Sequence, residues 1–389
     1  MANICPLFYV ETLADLEKSV REGRSPEKEV AIIADKFPEM HGSPNAHHVN
    51  LCIENLLGNK VPMTGQIPLS GGRLVKSGGK TGVVYEQSPE SEAFSRWQKG
   101  DFLEIERRYA RAWRESLSTL DLQEVTKGFR SLGIDGKSCK SLKDAKSLSE
   151  EIVYRRDKPF DLMKLAILFL HVPVHLHHRI LERWSITNYQ PLIEYAPYVS
   201  HVLEVEIFFQ ISLAANLIAS ERPSNRMDIG YLFYLPFCKI FVSSDKLHQR
   251  CAHLFLRRDQ NFVWGVDLKE DLGKLNDYYM QLPAREKERG IISFSFEPPR
   301  EGDFLVSHFW DQYFPKWRER KQVEALNKQS DNSELVKELT MMANAPELQM
   351  HEIDFNPTET DALTIQRNVR RMKGSWYQVP KDLKIDKKK

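Results

Sequence analysis

One stretch limits the fold more than any other. From Val202 to Ala219 the chain is almost continuously apolar, yet it carries Glu204, Glu206, Gln210 and Asn216. A membrane span needs ~20 mostly apolar residues. A helix that is apolar all round and still holds acids belongs inside a globular fold, where each buried acid demands a partner. Leu162 to Leu176 reads the same way, because Lys164, His171, Pro173 and His175 interrupt it. The 389 residues are 41% apolar, enough for two or three domains and a sizeable core. Lysine and arginine number 55 against 54 acids, a net charge of +1. That excludes a strongly basic coating protein and an acidic disordered tail, and leaves room for a local basic patch.

The remaining organisation follows from periodicity. Pro6 to Val10 reads as a short apolar strand, followed by a helix through Leu13, Leu16 and Val20. Ser25-Pro26 opens a second helix containing Val30, Ile33 and Ala34, and Asn45 to Leu57 a third that Gly58 stops. Between Val61 and Glu86, glycines punctuate β-like pieces such as Gly82 to Tyr85, which predicts a loop or hairpin. Arg- and Lys-rich helices then run from Glu90 to about Arg156, and buried helices from 158 to 222. A strand is expected over Asn261–Val266, with a helix following it through Tyr279. Past Pro283 the pattern is irregular and polar, with one helix over Ser330–Ala343 and a basic tail, Lys381–Lys389. No repeat is visible.

Several chemical signatures dissolve on inspection. Ser77-Gly78-Gly79-Lys80-Thr81 lacks the upstream glycine of a phosphate loop, since Leu74 stands there, and suits a hairpin turn better. His171, His175, His177 and His178 are split by Pro173 and lack the glutamate of a zinc-binding helix. Cys5, Cys52, Cys139, Cys238 and Cys251 are odd in number and never form a CxxC pair. They read as reduced thiols in a cytoplasmic protein, and MANICPLFYV carries no cationic leader.

The segment NRMDIGYLFYLPFCKIFVSSD, Asn225 to Asp245, carries the chemistry. Asn225 can cap a helix with Asp228 in its first turn. Pro236 stops that helix, and Phe237–Val242 is a short apolar strand of the kind found in parallel sheets. Asp245 then falls at the carboxyl edge, where open α/β sheets hold ligands. Glu11 stands in the same relation to Pro6–Val10. If the strands are neighbours, Glu11, Asp228 and Asp245 converge and repel unless they share a cation. Their hard oxygens suit Mg²⁺ or Mn²⁺, and such a centre supports attack on a phosphodiester. The bland alternatives are first-turn acids at Glu11 and Asp228 and a capping residue at Asp245. Glu204 and Glu206 are backup acids.

PLFYVE, NRMD and FVSSD together resemble the PIN-domain nucleases. The resemblance implies an α/β, Rossmann-like parallel sheet flanked by helices, with a large helical insertion and a C-terminal extension. It implies a first core part at 1–60, an insertion at 61–157, a second core part at 158–280 and an extension at 281–389. Glu11, Asp228 and Asp245 take the places of the family's catalytic and metal-binding acids, with Ser243 and Asn225 accessory. The family also has a strand-end aspartate upstream of its glutamate. No acid lies between Met1 and Glu11, and Asp15 is the candidate substitute. The implied activity is divalent-metal-dependent hydrolysis of nucleic acid, RNA before DNA. The alternative is an inactive PIN-like scaffold that binds nucleic acid, a protein partner or a second copy. Arg107, Arg108, Arg111 and Arg114, within a basic face that continues to Lys127 and Arg130, are the candidate phosphate contacts, with Trp97 and Trp113 nearby for stacking. Arg367, Arg370, Arg371 and Lys373 beside Trp376 and Tyr377 are the second candidate face.

Overall fold

A computed structural model describes residues 5–17, 25–36, 47–65, 68, 72–85, 89–123, 139–319, 333–348, 372–373, 376–377 and 381. In chain order they form α1 (Pro6–Ala14), α2 (Pro26–Lys36), α3 (His48–Leu56), β1 (Gly72–Ser77), β2 (Lys80–Tyr85), α4 (Pro89–Trp97), α5 (Glu104–Ser118) and α6 (Leu142–Val153). Next come α7 (Pro159–Phe169), α8 (Val174–Ile186), α9 (Leu192–Tyr195), α10 (Pro197–Ala214), α11 (Asn225–Gly230), β3 (Ile240–Ser243), α12 (Lys246–Cys251) and β4 (Asn261–Trp264). The remainder holds α13 (Gly265–Met280), α14 (Ala284–Glu288), α15 (Ile291–Ser295), α16 (Leu305–Tyr313), α17 (Ser333–Ala343), β5 (Met372–Lys373) and β6 (Trp376–Tyr377). The protein is mixed α/β and mostly helical. Among the described residues each sheet has two strands, and β3–β4 is the parallel pair. Packing divides the chain into residues 1–72 with 85–262, and 73–84 with 263–389. The sequence reading placed its divisions after 60, 157 and 280.

The first unit is built around α10. Tyr198, Val199, Val202, Leu203, Val205, Ile207, Phe208, Phe209 and Ile211 are all fully buried, so this helix has no solvent face. Its acids find partners as burial requires. Glu204 is ion-paired with Lys146 and accepts a 2.7 Å hydrogen bond from the Tyr154 hydroxyl, while Glu206 pairs with Arg226. A smaller apolar cluster joins Leu13, Leu16, Val30, Ala34, Phe94, Trp97 and Ala110 from α1, the turn after it, α2, α4 and α5.

Pro6–Val10 is the main departure: it is the first half of α1, not a strand. A five-residue apolar run is compatible with either structure. Two things decide for helix. Pro6 occupies the first helical position, where its missing N–H costs nothing. Tyr9, Leu13 and Leu16 then stand at i, i+4 and i+7, and Tyr9 stacks on Trp97 with ring centroids 5.3 Å apart. The expected helices at Ser25-Pro26 and Asn45–Leu57 appear as α2 and α3, with Gly58 at φ 85° closing the latter.

In the second unit β1 and β2 form the expected hairpin. Gly78 and Gly79 both have positive φ, 58° and 78°, as a tight two-residue turn requires. The Ser77–Thr81 segment is therefore a turn with its flanking strand ends. The Asp271 carboxylate of α13 accepts a 2.9 Å bond from Leu305 N at the start of α16, an element absent from the sequence reading. Of the expected basic tail, positions 382–389 lie outside the described residues.

Candidate acidic site

Asp245 is placed by the end of β3. Ser243 Oγ accepts the Asp245 N–H at 3.0 Å, and Asp245 Oδ1 accepts Leu247 N at 2.7 Å and His248 N at 3.2 Å. Asp245 is thus the N-cap of α12. Capping uses one carboxylate oxygen and holds the acid in a fixed orientation at the carboxyl edge of β3. One turn on, His248 is buried, with Nε2 2.6 Å from the Asp228 carbonyl and Nδ1 2.7 Å from Ser243 Oγ. A carbonyl only accepts, so Nε2 carries the proton and Nδ1 accepts from the Ser243 hydroxyl. Burial lowers the His248 pKa, against the opposing pull of the Asp228 carbonyl and the Asp245 charge. A neutral His248 therefore ties the backbone of Asp228 to the end of β3.

Asp228 lies in the first turn of α11. Asn225 is not the cap: Ser224 holds that position, and the Asn225 amide donates instead to Ala219 O at 2.8 Å. The Asp228 carboxyl is pushed up to about 7, first by burial, then by the charges of Asp245 and Glu11, with Arg222 opposing. Gly230 allows α1 to approach α11: a Cβ there would stand 2.9 Å from Leu7 Cδ1. Glu11, in the middle of α1, accepts a hydrogen bond from the Tyr231 hydroxyl, one residue beyond α11. The Tyr231 hydroxyl is pushed far above its usual pKa by burial and by Glu11, so it stays a donor. Cys5 is raised to about 12, chiefly by burial, and is not a thiolate.

Asp228 thus feels the charge of Asp245 and that of Glu11, which lies more than 200 residues away in sequence. Among the described residues no three His, Cys, Asp or Glu side chains, these acids included, stand close enough together to hold a metal ion as placed. Asp15 does not join them. It sits in the turn after α1 with its carboxylate 3.5 Å from Arg114.

The expected basic face is neutralised at each of its described arginines. Arg107 meets Glu27 at 2.8 Å, Arg108 meets Glu104 at 3.4 Å and Arg111 meets Glu17 at 3.5 Å. Arg114 donates to Ala14 O at 2.6 Å beside Asp15. Trp97 is fully buried and donates to Glu106, so it offers no stacking surface. Lys127, Arg130, Arg367, Arg370 and Arg371 lie outside the described residues. Comparison with protein-family models, curated proteins and solved structures gives no match to this chain. Two residues of the site escaped the sequence reading, Tyr231 and His248. The usable signal was spacing: each follows an acid of the cluster by three residues on a helical turn.

Proposed function

We propose that Glu11, Asp228 and Asp245 hold a divalent cation, Mg²⁺ or Mn²⁺, and that the chain is a PIN-like nuclease acting on RNA in preference to DNA. One observation carries this reading. A partly buried aspartate from α11 keeps its proton up to about pH 7, first because it is buried and then because acids from the end of β3 and from α1 lie within electrostatic reach. Three carboxylates so placed repel one another, and only a proton or a shared cation relieves the cost. The donor set is all carboxylate oxygen, which suits a hard ion. When bound, such an ion lowers the pKa of water and offsets charge on a phosphoryl group.

The chain's own residues do the rest. The Asp245 cap and the His248 bridge fix two of the acids relative to β3. Tyr231 orients Glu11 by donating to it. The parallel β3–β4 pair supports the PIN-like reading of the core, as do the NRMD and FVSSD elements at α11 and β3. The test is hydrolysis of end-labelled single-stranded RNA and DNA with Mg²⁺, Mn²⁺ or chelator. Asp245→Asn keeps a capping side chain and is expected to lose at least ~100-fold in rate, the scale on which electrostatic stabilisation acts. Cleavage at the wild-type rate in that variant removes the assigned site.

A second reading is an inactive scaffold that binds nucleic acid or protein. Its support is α1, a helix where the family carries an acid-ended strand. It predicts no Mn²⁺ affinity and no hydrolysis under any of these conditions, with binding retained.

A further inference from the structure

Helix α12 begins at the acid cluster and ends beside the start of α6. Between these two ends lies an open cleft of about 630 Å³. Lys140 and Lys143 line it from the α6 side, Arg250 and His253 from the α12 side, and Leu217 and Leu254 give it apolar surface. Among the described lining residues none is acidic. The contrast with α5 is direct, because the arginines expected to bind phosphate there all face carboxylates.

The acid at the start of α6 does not line the cleft, although its charge reaches Lys140. Asp144 Oδ2 accepts the backbone N–H groups of Lys140 and Ser141, each at 2.9 Å, closing a capping box. Arg250 is anchored by one bond, Nη2 to Leu217 O at 2.9 Å, and a guanidinium has five N–H donors. Its charge and most of its donors therefore remain for a ligand. The ligand is anionic, extended enough to meet cations on both walls, and partly apolar.

We propose that this cleft binds the sugar-phosphate backbone of a single-stranded nucleic acid that continues to the acid cluster. Five residue steps along α12 lead from Asp245 to Arg250, about 8 Å at ~1.5 Å per helical residue. A strand carries one phosphate per ~3.4 Å of axis, so about two nucleotides bridge the interval. Lys140, Lys143, Arg250 and His253 take the phosphates, and the leucines pack against sugar and base. The choice of nucleic acid as the polyanion rests on the reading of the acid cluster as a phosphodiester site.

The experiment is fluorescence anisotropy of a labelled single-stranded RNA with the full-length protein in chelator, where no cleavage chemistry is needed. Wild type binds with an affinity that falls as salt rises. Lys143→Glu/Arg250→Glu weakens binding at least ~10-fold and flattens the salt dependence by about 0.7 for each phosphate that the protein no longer neutralises. Lys140→Glu/Lys143→Glu, which leaves the Arg250–Leu217 bond in place, does the same, with helix content checked by circular dichroism. Arg108→Glu on α5 leaves binding unchanged. Wild-type affinity in both cleft variants overturns the proposal, as does competition by polyglutamate equal to that by unlabelled RNA. Binding without cleavage sinks the nuclease reading and leaves the cleft standing. Cleavage with an unaltered KM in the cleft variants does the reverse.

Discussion

Asp228 holds its proton to about pH 7, where an exposed aspartate has lost it roughly three units lower. The sign of the consequence is fixed by linkage. Its pKa is higher folded than unfolded, so between about pH 4 and 7 the folded state binds more protons and stability falls as pH rises. Asp228→Asn is therefore expected to raise stability at pH 8 and change little at pH 4, as read from urea unfolding at the two values. The same proton competes with a cation, so Mn²⁺ affinity measured by calorimetry should strengthen as pH climbs through about 7. Asp245→Asn isolates one field: asparagine caps about as well as aspartate, but without charge. The Asp228 carboxyl resonance should then titrate at lower pH. An unmoved titration means that these two acids do not share a site.

Elements decide whether those residues meet. Helix α1 reaches α11 because Gly230 presents no side chain to Leu7. Gly230→Ala forces the pair apart or strains it, at an expected cost of ~1–3 kcal/mol for overpacking. Adding Leu7→Ala should recover part of that in a thermal-unfolding double-mutant cycle; strictly additive effects would place the contact elsewhere. The α12 cap, the β1–β2 turn and the start of α2 were legible because each depends on a few adjacent residues: Asp245 before Lys246, Gly78-Gly79 and Ser25-Pro26. Pro6–Val10 was not, because five apolar residues carry no period of their own and take their structure from the Trp97 cluster they pack on.

Across the first unit as a whole, the buried ions of α10 set the cost of assembly. Lys146 neutralises Glu204 in a nearly water-free position, with the lysine side chain 12% and the glutamate 4% exposed. Lys146→Met leaves that acid with only the Tyr154 hydroxyl and is expected to cost ~3 kcal/mol in denaturant unfolding. Lys146→Met/Glu204→Leu, which removes both charges, should regain most of the loss, since two apolar groups replace a buried pair at little cost. A double variant no more stable than the single would show that the pair's geometry, rather than the stranded charge, matters.

The amino-acid sequence by itself determined what neighbours along the chain can decide: a buried helix in the apolar run after Val202, which ends at Ala214, the glycine turn, the cap at Asp245 and a short strand before it. That strand is Ile240–Ser243, because Pro236 lies within a 3-10 helix, Tyr231–Phe237, and does not end the preceding one. Helical and strand periods, caps and turns act within a few residues, so they are written locally. Only the tertiary structure decided that Glu11 meets Tyr231, that Arg107 and Arg114 are spent on Glu27 and Asp15, and that Trp97 is buried. Those partners lie tens to hundreds of residues away. Electrostatic and packing energies depend on distance through space, and sequence separation does not set that distance.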